Sequence, residues 1–358
     1  MSSTEETLRA FEAAVASGLP ASWDWQQPVL IAVSGGGDSM ALLRAVVAIA
    51  PAGFRRRLLV AHAEHDLRAT AARDRQFVLA QARRLGLACH CRRLPLAAGT
   101  GTGGEGVEGA ARQLRYRFFT ELAHAHGARH VAVGHTLDDQ AETILHRVLR
   151  GTGIAGLAGM PRARQLAEGV GLVRPLLGLR RWQPRAYLQA GGHLWMEDES
   201  NADSRYARNL LRQQVFAALE QGPYPAATEA VARLGQQAAA VMADRAATVG
   251  WLVREAVELR PDGSVLLRKR LATLADRDSH LLADVLLCLW QQQGWPRQEL
   301  SHRHLGQVAR MVNDRGSGDT PAMLAVSLPG AIEARWHPGG ICLQRSPSGA
   351  VPLGESAG

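Results

Sequence analysis

The stretch Val29-Leu30-Ile31-Ala32-Val33-Ser34-Gly35-Gly36-Gly37-Asp38-Ser39 decides the fold of this chain. The apolar run reads as a buried strand and the glycines as a tight loop. The apolar-periodic residues Met40 to Ala50 then read as a helix. Backbone N–H groups of such a loop, set at the positive end of a helix, form an anion site. Without side chains, the glycines let a phosphate come close to the backbone. The loop lacks the Gly-Lys-Ser/Thr ending of a Walker loop and carries Gly-Gly-x-Asp-Ser instead. A carboxylate beside phosphates makes sense if it holds magnesium, and Asp38 is placed for that. Ser34, Gly35, Gly36, Gly37, Asp38 and Ser39 are therefore the first candidate nucleotide-binding residues. The length of the string and its strand-to-helix context disfavour an ordinary glycine turn.

Outward from this loop, strand and helix patterns alternate. Strands are expected at Val29–Val33, Leu58–Ala63, Ala88–Leu94 and Ala128–Val133. Helices are expected at Asp38–Ala50, Thr70–Leu85, Val107–His126 and Asp138–Arg150. A further strand, Gly171–Arg174, and a helix, Arg180–Gln189, complete the pattern. This alternation predicts an α/β fold with a doubly wound parallel sheet. Ligands of such sheets sit at the carboxyl ends of the strands. The glycine loop, the His62 segment and the His135 segment all fall there. The glycine-rich residues 96–106 read as a flexible surface loop.

Glycine and two prolines in Glu220-Gln221-Gly222-Pro223-Tyr224-Pro225 mark a boundary. Residues 1–220, with the glycine loop, are then expected to form one domain. Residues 226–300 are a helical domain, with helices at Ala226–Val257 and Ser279–Gln293. Residues 301–345 are a small α/β part whose alternating tail reads as short strands, and 346–358 a disordered tail.

Four further segments carry candidate chemistry. His62-Ala63-Glu64-His65-Asp66-Leu67-Arg68 reads as a nucleotide-contacting loop, because a zinc site would need more ligands nearby. In Glu108 to Tyr116, residues Arg112, Arg115 and Tyr116 share one helical face. Two guanidiniums facing a site would clamp phosphates. In Gly134-His135-Thr136-Leu137-Asp138-Asp139, adjacent aspartates open a helix at a strand end. They suit the helix dipole, a magnesium ion, or an incoming amine. Arg205, Arg208 and Arg212 fall along one helical face, a phosphate or RNA stripe. Cys89 and Cys91 point one way along a strand and read as structural thiols.

The chain has 358 residues, 46% of them hydrophobic, enough for two or three domains. The net charge is +8 and the pI about 10.1. A basic enzyme often meets a polyanion, although Lys269 is the single lysine and arginine richness also follows from a GC-rich genome. Four cysteines give no disulfide framework. The acidic start argues against a secretory signal, and the apolar stretch Leu281 to Trp290 is too short to span a bilayer. The expected setting is the cytoplasm, away from membranes.

The Ser34–Ser39 string resembles the PP-loop of the ATP pyrophosphatases. With His62–Arg68, Glu108–Tyr116, His135–Gly159, Arg174-Pro175-Leu176-Leu177 and Trp195–Arg212, the chain resembles the tRNA(Ile)-lysidine synthetases. Two positions depart from that pattern: Thr136 replaces a frequent histidine and Asp66 a usual glycine. The resemblance implies that ATP adenylates the wobble cytidine of a tRNA(Ile) with a CAU anticodon, and that L-lysine then displaces AMP. It implies ATP and Mg2+ as cofactors, with Asp38 and Asp138 on the metal. Asp38, Asp138, Asp139, Arg112 and Arg115 would be catalytic. His62 and His135 would join the loop in holding ATP, and Arg205, Arg208 and Arg212 would hold the tRNA. A homodimer is an assembly open to such a chain. The rival expectations are another PP-loop enzyme, such as a tRNA thiolase, and a non-catalytic nucleotide- or RNA-binding protein. The absence of Cys-x-x-Cys speaks against a thiolase, and three carboxylates near phosphates speak against mere binding.

Overall fold

The structure, a computed structural model, describes residues 3–65, 71–94, 104–197, 207–297, 299–317 and 324–345. The chain divides into two compact units, Met1–Ala240 and Val241–Gly358.

The first unit runs α1 (Ser3–Ser17), β1 (Val29–Ala32), α2 (Gly37–Ile49), β2 (Leu58–His65), α3 (Ala71–Leu85), β3 (Ala88–Leu94) and α4 (Gly104–His126). It continues through β4 (His130–Ala132), α5 (Leu137–Leu149), α6 (Ile154–Leu157), β5 (Ala163–Ala167), β6 (Val170–Val173) and α7 (Trp182–Ala190). After α8 (Ala207–Leu210) comes a π-helical turn, Leu211–Phe216, then α9 (Ala217–Gln221) and α10 (Ala227–Ala256). The strands form one sheet in the order β3-β2-β1-β4-β6-β5. All neighbours are parallel except the edge strand β5, which runs antiparallel to β6.

β1 shows why this sheet is covered on both faces. Val29 and Ile31 point into a core with Leu42, Val46 and Leu188, and Leu30 and Ala32 into a second core with Phe118 and Leu122. Successive side chains of a strand face opposite ways, so a strand buried on both faces must be apolar throughout. Each such Val, Leu or Ile contributes about 1.5–3 kcal/mol. Strand order reverses between β1 and β4, the switch point where α/β sheets bind ligands. The two strand ends pack closely there: a Cβ added to Gly134 would lie 3.0 Å from the Asp38 carbonyl oxygen.

The second unit has its own antiparallel sheet, β7-β8-β11-β10-β9. Its strands are β7 (Val257–Leu259), β8 (Val265–Arg268), β9 (Ala325–Leu328), β10 (Ile332–His337) and β11 (Gly340–Arg345). Its helices are α11 (Arg270–Leu274), α12 (Ser279–Gln292) and α13 (His302–Ser317). Leu252, Val265, Leu289, Trp290, Leu305, Val308 and Leu343 share one core.

Several expectations change. The doubly wound sheet is present, with one antiparallel edge strand. The break expected at 220–226 is a short turn between α9 and α10, whereas the unit boundary falls inside α10. The expected helical part 226–300 and α/β part 301–345 are not separate, because β8 pairs with β11 and both parts feed one core. β2 runs two residues beyond the expected Ala63, so Glu64 and His65 belong to the strand and not to a loop. The proposed tail 346–358 and most of the 96–106 loop lie outside the described residues. Among the described residues no helix is long and apolar enough to cross a membrane.

Candidate active site

The glycine loop keeps its shape through its serines. Ser39 Oγ donates to the Gly36 carbonyl at 3.0 Å and accepts from Ser34 N–H at 3.1 Å. Gly35 has φ +99°, a left-handed conformation that a side chain would strain. Gly36 caps α2 without any side-chain hydrogen bond, so the first N–H groups of the helix are left for an anion. From the far side Met196 N–H donates to the Gly35 carbonyl at 2.9 Å. This pins Trp195–Glu197 onto the loop. The loop opens into a cavity of about 650 Å3, which Ser34, Gly36, Gly37, Asp38 and Ser39 line.

The acidic part of the cavity is built on the first turn of α5. Thr136 caps the helix in a reciprocal box with Asp139, accepting from its N–H at 3.4 Å. Asp139 Oδ2 in turn accepts from Thr136 N–H at 2.8 Å. The other oxygen, Oδ1, meets Arg181 Nη2 at 2.6 Å and Arg212 Nη2 at 3.4 Å. Glu142 follows one turn later, on the same face. It meets Arg181 Nη1 at 3.2 Å and Arg212 Nε at 2.8 Å. Arg181 Nε also reaches Asp38 Oδ2 at 3.7 Å. Two guanidiniums thus serve three carboxylates.

The electrostatics follow from that deficit. Burial, then repulsion from Asp139, pushes the Asp38 carboxyl up to about 7, against the pull of Arg181, Arg185 and Arg212. Burial also pushes Asp139 up, but Arg181, the Thr136 N–H and Arg212 outweigh it and hold Asp139 below the usual carboxylate range. The carboxylates raise Arg181 further, against its burial.

The expected site residues separate into two groups. Asp38, Asp139, Arg115, His62 and His135 line the cavity with the loop residues other than Gly35. Asp138 does not. A helix turns about 100° per residue, so its neighbour's direction is denied to it. Its Oδ2 accepts instead from the Arg181 backbone N–H at 2.7 Å, and Oδ1 lies 3.4 Å from Arg180 Nε. The expectation that Asp138 faces the cavity with Asp38 is therefore not met; Asp139 is the aspartate of the pair that lines it. Arg112 is also off the cavity wall. Its guanidinium lies over the Tyr116 ring at 5.1 Å, and so does that of Arg164, also at 5.1 Å. Arg212 turns inward onto Glu142 and Asp139 rather than joining an outward RNA stripe. Arg205 and the Arg208 side chain lie outside the described residues.

The two histidines are held differently. His62 is 3% exposed; its Nδ1–H donates to the Val33 carbonyl at 2.8 Å, and its Nε2 is buried with no partner. His135 Nδ1 accepts from Arg174 Nε at 3.1 Å. Sequence reasoning missed Arg181, Glu142, Glu64 and Met196 as site residues. Asp139 and Glu142 at i and i+3 were a readable signal. Arg181 had none, because it reaches the site from a distant segment.

A model of the PP-loop domain matches residues 5–219. The tRNA(Ile)-lysidine synthase of Thermus thermophilus is 41% identical over 239 residues, which is 66% of this chain and 43% of that protein. The one from Salinispora tropica is 38% identical over 310 residues, 85% of this chain and 87% of that protein. Against the Thermus relative, then, the chain spans less than half the length. A U34-tRNA thiolase from Methanococcus maripaludis has a similar fold, with a TM-score of 0.54 at 14% identity, covering 65% of this chain and 80% of that one. The domain match, together with the Salinispora relative along nearly its whole length, shows that the chain belongs to the tRNA(Ile)-lysidine synthase family of PP-loop proteins.

Proposed function

We propose that this protein ligates L-lysine to carbon 2 of the wobble cytidine of a tRNA(Ile) with a CAU anticodon, splitting ATP to AMP and pyrophosphate. The product, lysidine, would read AUA in place of AUG. The observation that carries this reading is the convergence of Asp38 and Asp139 on the glycine-loop cavity, at the switch point of the sheet.

The cavity of about 650 Å3 has the size of a nucleotide site. The uncapped start of α2 would take the ATP phosphates. His62, on the cavity wall, would lie against the nucleoside. The cytidine carbonyl oxygen attacks the α-phosphorus, and pyrophosphate leaves. Carbonyl oxygen alone is a poor leaving group; joined to AMP it becomes a good one. The lysine amine has an ordinary pKa of about 10.4 and must lose its proton before it attacks. Asp139, on the cavity wall, would hold that ammonium beside the base, and the amine then attacks carbon 2 as AMP departs with the former carbonyl oxygen. Arg115 would stabilise the developing phosphate charge. The target base must be splayed out of its loop to enter such a cavity.

The residues fit magnesium. The site carries more carboxylate than guanidinium charge, and Asp38 is pushed up for that reason among others. Among the described residues no three or more His, Cys, Asp or Glu gather as a metal cage. An ion held by Asp38 would therefore take its other ligands from phosphate and water, as magnesium commonly does. Bound there, it would neutralise the pyrophosphate charge. A tRNA thiolase reading gains nothing from this cavity, since none of Cys89, Cys91, Cys288 and Cys342 lines it. The reaction would take place in the cytoplasm, with the second unit helping to hold the tRNA. Light scattering decides between a monomer and a homodimer.

The test is a trap of the adenylated RNA. The protein is incubated with the tRNA and with ATP carrying radioactive phosphorus at the α-position, without lysine. The label should enter the RNA, and added lysine should discharge it as AMP. RNA that never takes up label, or a label that lysine does not discharge, refutes the proposal.

A further inference from the structure

Arg174, just past β6, is 1% exposed. Its Nη1 donates to the Pro161 carbonyl at 2.7 Å, its Nε to His135 Nδ1 at 3.1 Å, and it also bonds Tyr116. An arginine N–H only donates, so His135 Nδ1 must present a lone pair. A neutral imidazole then carries its single proton on Nε2. An imidazolium would set one N–H against another.

We propose that Arg174 is a positioning residue that locks His135 as the neutral Nε2–H tautomer, a fixed hydrogen-bond donor to an oxygen of the reacting phosphate. His135 lines the cavity and Arg174 does not, so the locked nitrogen lies behind the wall. The close packing of Gly134 on Asp38 sets His135 beside the phosphate loop. The surrounding charges favour the neutral ring. Burial, with Arg174, Arg112 and Arg115, holds His135 down at about 4, although Asp139 pulls the other way. His62 has the opposite tautomer, with its proton on Nδ1. The strands flanking β1 thus supply one acceptor and one donor at the same ring position. Only the identity of the accepting oxygen rests on the proposed function.

The test uses the full chain with nitrogen-15 histidine. Long-range proton–nitrogen NMR distinguishes the two tautomers and the imidazolium, and the His135 signals are those lost in His135→Gln. The wild type should show the Nε2–H pattern from about pH 7 down to about pH 5. In Arg174→Met the ring should populate the Nδ1–H form or become charged. An Nδ1–H or charged ring in the wild type overturns the proposal, as does an unchanged pattern in a folded Arg174→Met.

Turnover gives a second readout, which stands even if Arg174→Met does not fold. A Gln amide places its N–H where Nε2–H stood, and an Asn amide where Nδ1 stood. His135→Gln should keep kcat within about tenfold, while His135→Asn loses about a hundredfold or more. Equal losses overturn the donor role. A wild type that shows the Nε2–H pattern but makes no lysidine would sink the proposed function and leave the tautomer lock intact.

Discussion

Replacing Asp38 with Asn should make the protein both inactive and more stable. The folded state holds the Asp38 carboxyl up at about 7, against an ordinary 3.8, chiefly through burial and then through Asp139. That is about three units, and at 1.36 kcal/mol each the ionised carboxylate costs the folded state at most about 4 kcal/mol. Its side chain is 26% exposed, so solvent screens part of that cost. Half the ceiling, about 2 kcal/mol, is the working figure. The sign follows from linkage. Between the two pKa values the folded state binds more protons than the unfolded state, so wild-type stability falls as pH rises through 4 to 7. The neutral Asn escapes that loss. In chelator at about pH 8, Asp38→Asn should melt about 4–8 °C above wild type, the conversion for a unit of this size. The gap should close at about pH 4, and magnesium with ATP should narrow it by stabilising only the wild type. Thermal scans on both proteins across this pH range give the answer. An Asp38→Asn that melts at or below the wild type at about pH 8 refutes the reasoning.

Other perturbations follow from the same contacts. Arg181→Met strands Asp139 and Glu142 with Arg212 alone, so urea unfolding should show a loss of about 3 kcal/mol, the low end for a broken buried pair; a loss under about 1 kcal/mol contradicts this network. Gly134→Ala sets a Cβ at 3.0 Å from the Asp38 backbone. Overpacking there costs about 1–3 kcal/mol and shifts the loop, so ATP affinity by calorimetry should weaken; an unchanged Kd counts against the close packing. In the second unit Ala331 has φ +58°. Ala331→Val should lose at least about 1 kcal/mol while Ala331→Gly loses none, and equal melting of the two variants would disprove the strain.

Much of the first unit could be read from local pattern. A buried strand, a glycine loop and an amphipathic helix are adjacent in sequence, so 29–50 declares its structure directly. The places where reading stopped have physical causes. Asp138 and Asp139 are equivalent as letters, and only the capping box with Thr136 fixes which one faces the cavity. Glu64 and His65 looked like part of a polar loop, but β2 continues through them because the β3 ladder pairs them. Arg181 meets Asp139 across 42 positions of sequence, a separation no periodicity encodes. Arg212 looked like part of an outward stripe, yet the π-helical turn at Leu211–Phe216 breaks the α spacing on which the stripe was drawn. The edge strand β5 is short and half-exposed, and the second unit's sheet closes only through the distant pairing of β8 with β11.

The central claim is that this cavity joins lysine to a cytidine. Its most direct test is a reaction of the protein with ATP, magnesium, L-lysine and a tRNA(Ile) transcript carrying CAU, followed by digestion to nucleosides and mass spectrometry. The account predicts a cytidine that has gained lysine with loss of water, only when ATP and lysine are both present and not with Asp38→Asn. Unmodified cytidine from a folded protein under those conditions would contradict it.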